Sequence, residues 1–261
     1  MKILLPPSEG KAVPQPDPAQ PDDAAPRLDL EALVLPELAP QREQVLEALI
    51  EASGREDAQA VLKVGAKVME EVQANRTLRD APAAAAHQIY TGVLFDALDA
   101  GSLTEGPLVR AEEQVLIFSG LFGATGFTDR IPAYRLSMDV KLGDLGNLGT
   151  FWKKQLVRPM GELVGDELVV DCRSASYGKA FQPAPEQTLM VNSFTERDGQ
   201  RKVVTHFAKH ARGELTGMLL RSEGRPETIE EVAEIAEQRW RVEIRPAEGR
   251  KPHQLDLISA G

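Results

Sequence analysis

One cysteine in 261 residues, Cys172, leaves no internal disulfide framework to be built. Apolar runs are also short: none approaches the ~20 residues of a membrane helix. The opening MKILLPP is broken by Pro6 and Pro7 too early to serve as a signal peptide. There is no internal repeat and no clear linker. Positive charge is in deficit, with 30 Lys and Arg against 40 Asp and Glu, a net of −10. That balance argues mildly against nucleic acid as a partner, although local distribution matters more than the total. At 42% hydrophobic and 27% charged the chain has ordinary soluble, globular composition. Together these features favour a bacterial-type cytoplasm.

Charge is unevenly spread. Residues 14–57 carry eleven Asp or Glu against three Arg, a difference of −8, whereas 201–221 carry five Lys or Arg against Glu214, a difference of +4. A basic surface within an acidic protein is therefore expected. MKILL reads as a buried first strand, and the Pro-, Ala- and Asp-rich residues 12–27 as a loop. QREQVLEALIEASG (41–54) has helical period and a Gly stop, and Val93–Leu98 forms another short helix. VLIFSG (115–120) fits a strand or the end of a buried helix equally. ELVVDCRS (167–174) is a β-branched run, and TLMVNSFTERDGQRKVVTHFA contains two such runs around Asp198-Gly199, a hairpin signal. A helix is expected from near Lys209 to Leu220. A second, at 228–239, has Thr228 and Glu231 placed as a capping box. WRVEI and HQLDLI look like closing strands. This is a single α+β domain over 1–261, with a mixed, curved sheet flanked by helices.

Three segments far apart in sequence combine glycine with polar or cationic residues: SGLFGATGFTDRIPAYRLSM (119–138), DCRSASYGKAF (171–181) and HFAKHARGELTGML (206–219). Such a set suggests one composite site. SGLFG followed by YRLSM resembles the SGLYG and YRLEM segments of the YaaA-type peroxide stress proteins. TFWKKQL (150–156), SASYGK (174–179) and KHARGELTGMLL (209–220) are similar to further blocks of that family. PPSEGK (6–11) and IYTG (89–92) also fit, and the blocks recur in order from residue 1 to about 220.

Each cluster has chemistry to offer. Lys209 and Arg212 share a helical face. With the helix starting near Lys209 they lie in its first turn, where free N–H groups and the dipole favour an anion. A solvated helix start or an internal ion pair is the alternative. His206 and His210 have metal-pair spacing but no third ligand nearby in sequence, so no metal is expected. Cys172 reads as a small core residue. Ser174, Ser176, Tyr177 and Lys179 follow a strand, either as phosphate ligands or as a Ser–Lys pair. Ser8, Glu9 and Lys11 form a second polar cluster at a strand end, with turn capping as the equal alternative. SGLFG resembles the hairpin of a helix-hairpin-helix element, in which backbone N–H groups of Gly120 and Gly123 hold a DNA phosphate. Packing glycines explain it as well.

The resemblance implies a cytoplasmic protein of the peroxide stress response that limits oxidative damage by restraining free intracellular iron. It also implies a basic cleft that binds DNA without sequence preference. No cofactor is implied. The phosphate-binding candidates are Gly120, Gly123, Arg135, Lys179, Lys209, Arg212 and Gly213. An enzyme acting on a nucleotide-like or other phosphorylated small molecule fits the same cleft, with Ser8, Glu9, Lys11, Tyr134, Ser174 and Tyr177 as its catalytic candidates. The expectation is that Arg135, Tyr177, Lys179, Lys209 and Arg212 converge, with Ser8 to Lys11 at the edge.

Overall fold

Residues 1–14, 26–197 and 200–260 are described by a computed structural model. β1 (Lys2–Leu5) buries Ile3, Leu4 and Leu5 completely, as a strand paired on both edges and covered on both faces must. The chain then builds α1 (Ala39–Ser53), α2 (Ala58–Val61), α3 (Met69–Ala74), β2 (Ala83–Ala85), α4 (Ala86–Ile89), α5 (Val93–Leu98) and α6 (Glu105–Gln114). It returns as β3 (Val115–Ser119), parallel to β1. All five residues of β3 are buried, so VLIFS offered no alternation by which a strand could be told from a helix.

β4 (Gly123–Gly126) folds back on β3, and β5 (Arg130–Pro132) pairs with β2 in a small second sheet. α7 (Leu148–Val164) leads to β6 (Val169–Asp171), which lies parallel to β1 on its other edge. After α8 (Ala175–Gly178) come β7 (Thr188–Arg197) and β8 (Gln200–Lys202). The Asp198-Gly199 turn expected between the last two lies outside the described residues, as does most of the loop expected at 12–27. α9 (Thr205–Arg221), α10 (Ile229–Glu237), β9 (Arg241–Arg245) and β10 (His253–Ala260) complete the chain.

The main sheet runs β4-β3-β1-β6-β7-β10-β9, with β8 on β7. Its centre is parallel and its outer pairs antiparallel, which gives the mixed sheet of a single α+β domain. From β1 the chain steps to β3 on one side and later to β6 on the other. The carboxyl ends of β1 and β6 therefore flank a topological switch point, where open sheets leave a crevice for ligands.

Two elements depart from the sequence reading. The Gly-marked turn joins two strands, β3 and β4, where a helix-hairpin-helix-like element was expected. α9 starts at Thr205, four residues before Lys209, because the pairing of β7 with β8 ends at Lys202 and the β-branched VVT run opens a helix instead. Lys209 and Arg212 consequently sit in its second and third turns, beyond the free N–H groups of the helix start. The capping box of α10 forms as read: Thr228 Oγ1 accepts from Glu231 N at 3.2 Å and Glu231 Oε2 from Thr228 N at 3.1 Å.

Candidate functional site

The cluster at the end of β1 is built by backbone pairing. Ser8 Oγ donates to Gly10 O at 2.5 Å and accepts from Thr91 N at 3.0 Å. Ala12 N donates to Ile89 O at 2.8 Å, and Lys11 bridges antiparallel to Tyr90. PPSEGK and IYTG, far apart in sequence, thus form one wall. Lys11 Nζ turns inward, donates to Ser8 O at 2.9 Å and Glu9 O at 3.3 Å, and lies 4.2 Å from the centroid of the Tyr134 ring.

Lys11 is partly exposed as a residue, yet its ammonium end is enclosed. Burial, reinforced by the Arg135 guanidinium and opposed by Glu71 and Glu9, brings its pKa down to about 7. Near neutral pH a large share of this amine is uncharged.

A hydroxyl chain runs behind the lysine. Ser119 Oγ accepts from Leu121 N at 3.1 Å and Phe122 N at 3.0 Å, which uses both lone pairs. Its own proton therefore goes to Tyr134 Oη, 2.6 Å away, and Tyr134 donates in turn to Tyr90 Oη at 3.0 Å. Burial pushes both phenols above their ordinary range, so they stay protonated and serve as fixed donors.

Arg135 is held at both ends. Buried Asn75 accepts from Arg135 N at 2.8 Å and donates to its carbonyl at 3.0 Å. The guanidinium, with a side chain 16% exposed, pairs with Glu9 Oε2 at 2.9 Å and Glu71 Oε2 at 3.3 Å. Two cavities share Lys11 as a wall. One, of about 390 Å³, is lined largely by apolar groups (Val13, Pro14, Ala74, Pro82, Ala133) together with Glu71 and Tyr134. The other, of about 130 Å³, is lined by Ser8, Lys63, Arg135, Ser137, Asp139 and Tyr177 among others. Burial raises the pKa of the Tyr177 phenol above its ordinary value.

The structure thus brings together Ser8, Glu9, Lys11, Tyr134, Arg135 and Tyr177. The other candidates fall elsewhere. Gly120 and Gly123 are packing glycines: Trp152 Nε1 donates to Gly120 O at 2.9 Å, and a Cβ on Gly123, whose φ is +75°, would lie 2.7 Å from the Trp152 ring. Both are buried, out of reach of a phosphate. Arg212 donates from Nε and Nη2 to Val191 O at 3.1 and 3.0 Å, pinning α9 to β7. Gly213 faces α5, where a Cβ would stand 1.9 Å from Leu94 O. Lys209 and Lys179 are exposed and line neither cavity. Ser174 Oγ lies 3.3 Å from Ser176 Oγ, and among the described residues no hydrogen bond joins it to Lys179.

Cys172 is fully buried, which pushes its thiol up to about 12. Among the described residues no three His, Cys, Asp or Glu side chains are grouped to hold a metal. Sequence reasoning missed Asn75, Lys63 and Glu71, all from the helical region between α1 and β2. Gly65 and the Asn75-Arg76 pair of ANRTL interrupt the helical pattern there.

The fold and the site define an α+β protein with an enclosed lysine–arginine centre at the carboxyl edge of its sheet. The family profile described as "Peroxide stress protein YaaA" matches residues 1–245, and the chain belongs to that family. It is 41% identical over 263 residues to a UPF0246 protein of Streptomyces coelicolor, covering 99% of this chain and 98% of that one. A UPF0246 protein of Corynebacterium efficiens is 41% identical over 238 residues, 90% of this chain and 91% of its own. One of Corynebacterium glutamicum is 36% identical over 241 residues, covering 91% and 92%. Among the described residues no helix is long and apolar enough to cross a membrane.

Proposed function

We propose that this peroxide stress protein limits oxidative damage, through restraint of free intracellular iron, by acting on a nucleotide-like or otherwise phosphorylated small molecule in the Lys11 cavities. The observation that carries this reading is the enclosed Lys11 amine beside Arg135 and above Tyr134. An amine that is partly neutral at pH 7 serves as base or nucleophile, and a neighbouring guanidinium can exchange its Glu9 or Glu71 carboxylate for a ligand's phosphate or carboxylate. A cavity of about 390 Å³ falls within the ~300–1,000 Å³ range of small-molecule sites. Calorimetric titration with nucleoside phosphates and sugar phosphates tests the reading. Saturable binding that Arg135→Met abolishes supports it, and absence of binding by every member of the panel refutes it.

DNA is the second reading. Lys202 and Lys209 are exposed along β8 and the start of α9, beside Phe207, which is 58% exposed. Such a patch suits backbone phosphates, so binding should ignore sequence and weaken steeply with salt. The net charge of −10 predicts modest affinity. In gel shifts at two salt concentrations Lys209→Ala should weaken binding a few-fold and lower the salt slope by about one. Affinity and slope both unchanged in that variant count against a DNA role for α9.

A further inference from the structure

We propose that Lys11 is a covalent nucleophile: its Nζ forms an imine with the carbonyl carbon of a small anionic aldehyde or ketone whose anionic group sits in the smaller cavity. This deepens the reading above and rests on it.

Four observations lead there. First, Lys11 Nζ is held in place by two carbonyls, Ser8 O at 2.9 Å and Glu9 O at 3.3 Å, so the reacting atom is positioned before any ligand arrives. Second, Lys11 lines both cavities, so a molecule bound across them can have its reactive carbon at Lys11 with one end on each side. Third, the two sides differ in chemistry. The larger is mostly apolar and takes a ring or hydrocarbon body, whereas the smaller is polar, with Arg135, Lys63, Ser137 and Tyr177 facing Glu9 and Asp139. In about 130 Å³, Lys63 and Arg135 suit a group as small as a phosphate or carboxylate, which takes the place of the Glu9 carboxylate now paired with Arg135.

The fourth observation concerns Lys63, which is not glycine yet holds φ at +55°, in the left-handed region. Such backbone costs energy and clusters at functional sites. Its Nζ is tied to Asp139 O at 2.9 Å, which keeps the cation at the cavity mouth.

The step balances without any redox partner. Neutral Nζ adds to the carbonyl carbon, and the C=O oxygen leaves as water with the two amine hydrogens. One C=N bond replaces one C=O bond. The imine nitrogen then takes a proton from solvent and becomes a cation, a charge that the carboxylates of Glu71 and Glu9 stabilise, as they do for the ammonium. The lowered pKa of the amine and the adjacent Arg135 match a recurring way of activating a lysine, by desolvation and a neighbouring cation.

The probe is pyridoxal 5′-phosphate, an aldehyde and a phosphate in one small molecule, with borohydride reduction and peptide mapping of the full chain. The expected result is one equivalent on Lys11, added at least ~10-fold faster at pH 7 than on any exposed lysine, because far more of this amine is neutral. The rate should level off above pH 8, whereas exposed lysines keep gaining reactivity toward pH 10. Pyridoxal, which lacks the phosphate, should label Lys11 several-fold more slowly, and Lys63→Met should erase that difference. Pyridoxine 5′-phosphate, which lacks the aldehyde, should compete. If pyridoxine 5′-phosphate binds saturably but the label scatters over exposed lysines such as Lys153 and Lys209, with Lys11 unmodified, the imine is refuted and the small-molecule reading stands. If neither compound binds and Lys11 stays unlabelled while a nucleoside or sugar phosphate binds, the imine alone is refuted; if none of these compounds binds, both fail. The mapping uses unmutated protein, so its outcome does not depend on any variant folding.

Discussion

At the scale of single residues the molecule keeps Lys11 at a cost. An enclosed lysine binds its proton less tightly in the folded chain than in the unfolded one, with the pKa falling from 10.5 to about 7. Between those values the unfolded chain holds a proton that the folded chain has released, so stability rises with pH across the window. Below about pH 7 both states are charged, and the folded state carries the full penalty. A tenfold loss of proton affinity corresponds to ~1.4 kcal/mol, while losing two hydrogen bonds costs ~1 kcal/mol each. Lys11→Met should therefore stabilise the chain by about 1–3 kcal/mol at pH 6, with the gain vanishing or reversing near pH 10. Urea unfolding of both proteins at the two pH values checks this. Equal loss of stability at both would mean that Lys11 is an ordinary structural residue. By contrast, Arg42 is fully buried and donates to the carbonyls of Leu30, Val34, Leu35, Phe122 and Ala124. It fastens α1 to the β3–β4 turn.

At the scale of elements, α9 shows how one segment can be read correctly for one reason and wrongly for another. A helix was expected from near Lys209 to Leu220, and a helix forms there. Its glycines, however, serve contact with α5: Gly213 stands against Leu94 and Gly217 against Leu98, one turn further on. Gly213→Ala should cost ~2–4 kcal/mol, because a methyl group there displaces backbone rather than a flexible side chain. Thermal unfolding checks this, and a change of less than a degree or two would mean that the crossing relaxes freely. Arg212 belongs to the same interface through the Val191 carbonyl, so Arg212→Ala should lower stability, whereas Lys209→Ala should not. β-branched runs misled at 203–205 because side-chain preference for strands yields to pairing, and β8 ends at Lys202. The capping box at Thr228 was legible because that signal is local and its partners are three residues apart.

At the scale of the whole molecule, the fold was largely legible and the site only in part. MKILL, ELVVDCRS and WRVEI carry patterns that show strands, and the mixed sheet expected of them forms. The meeting of Ser8–Lys11 with Arg135 and Tyr177 was expected; what could not be read was the part of Tyr90, which depends on Lys11 bridging to it at the end of β1. Glycine and cation content drew attention to 120–123 and 209–213. Glycines at tight crossings and glycines in phosphate loops look alike in sequence and separate only by what stands opposite them. Lys11 looked like one member of a polar turn, because its enclosure comes from rings 79 and 123 positions away.

On the reading proposed above, the Lys11 cavities, not the basic surface of α9, carry the role in peroxide stress. The decisive measurement is survival of peroxide challenge, with free intracellular iron read alongside, in cells whose only copy of this protein is wild type, Lys11→Met or Lys209→Ala. Lys11→Met should lose protection and let free iron rise while its folded protein persists at wild-type level, and Lys209→Ala should behave as wild type. Full protection by Lys11→Met with loss in Lys209→Ala would overturn that reading.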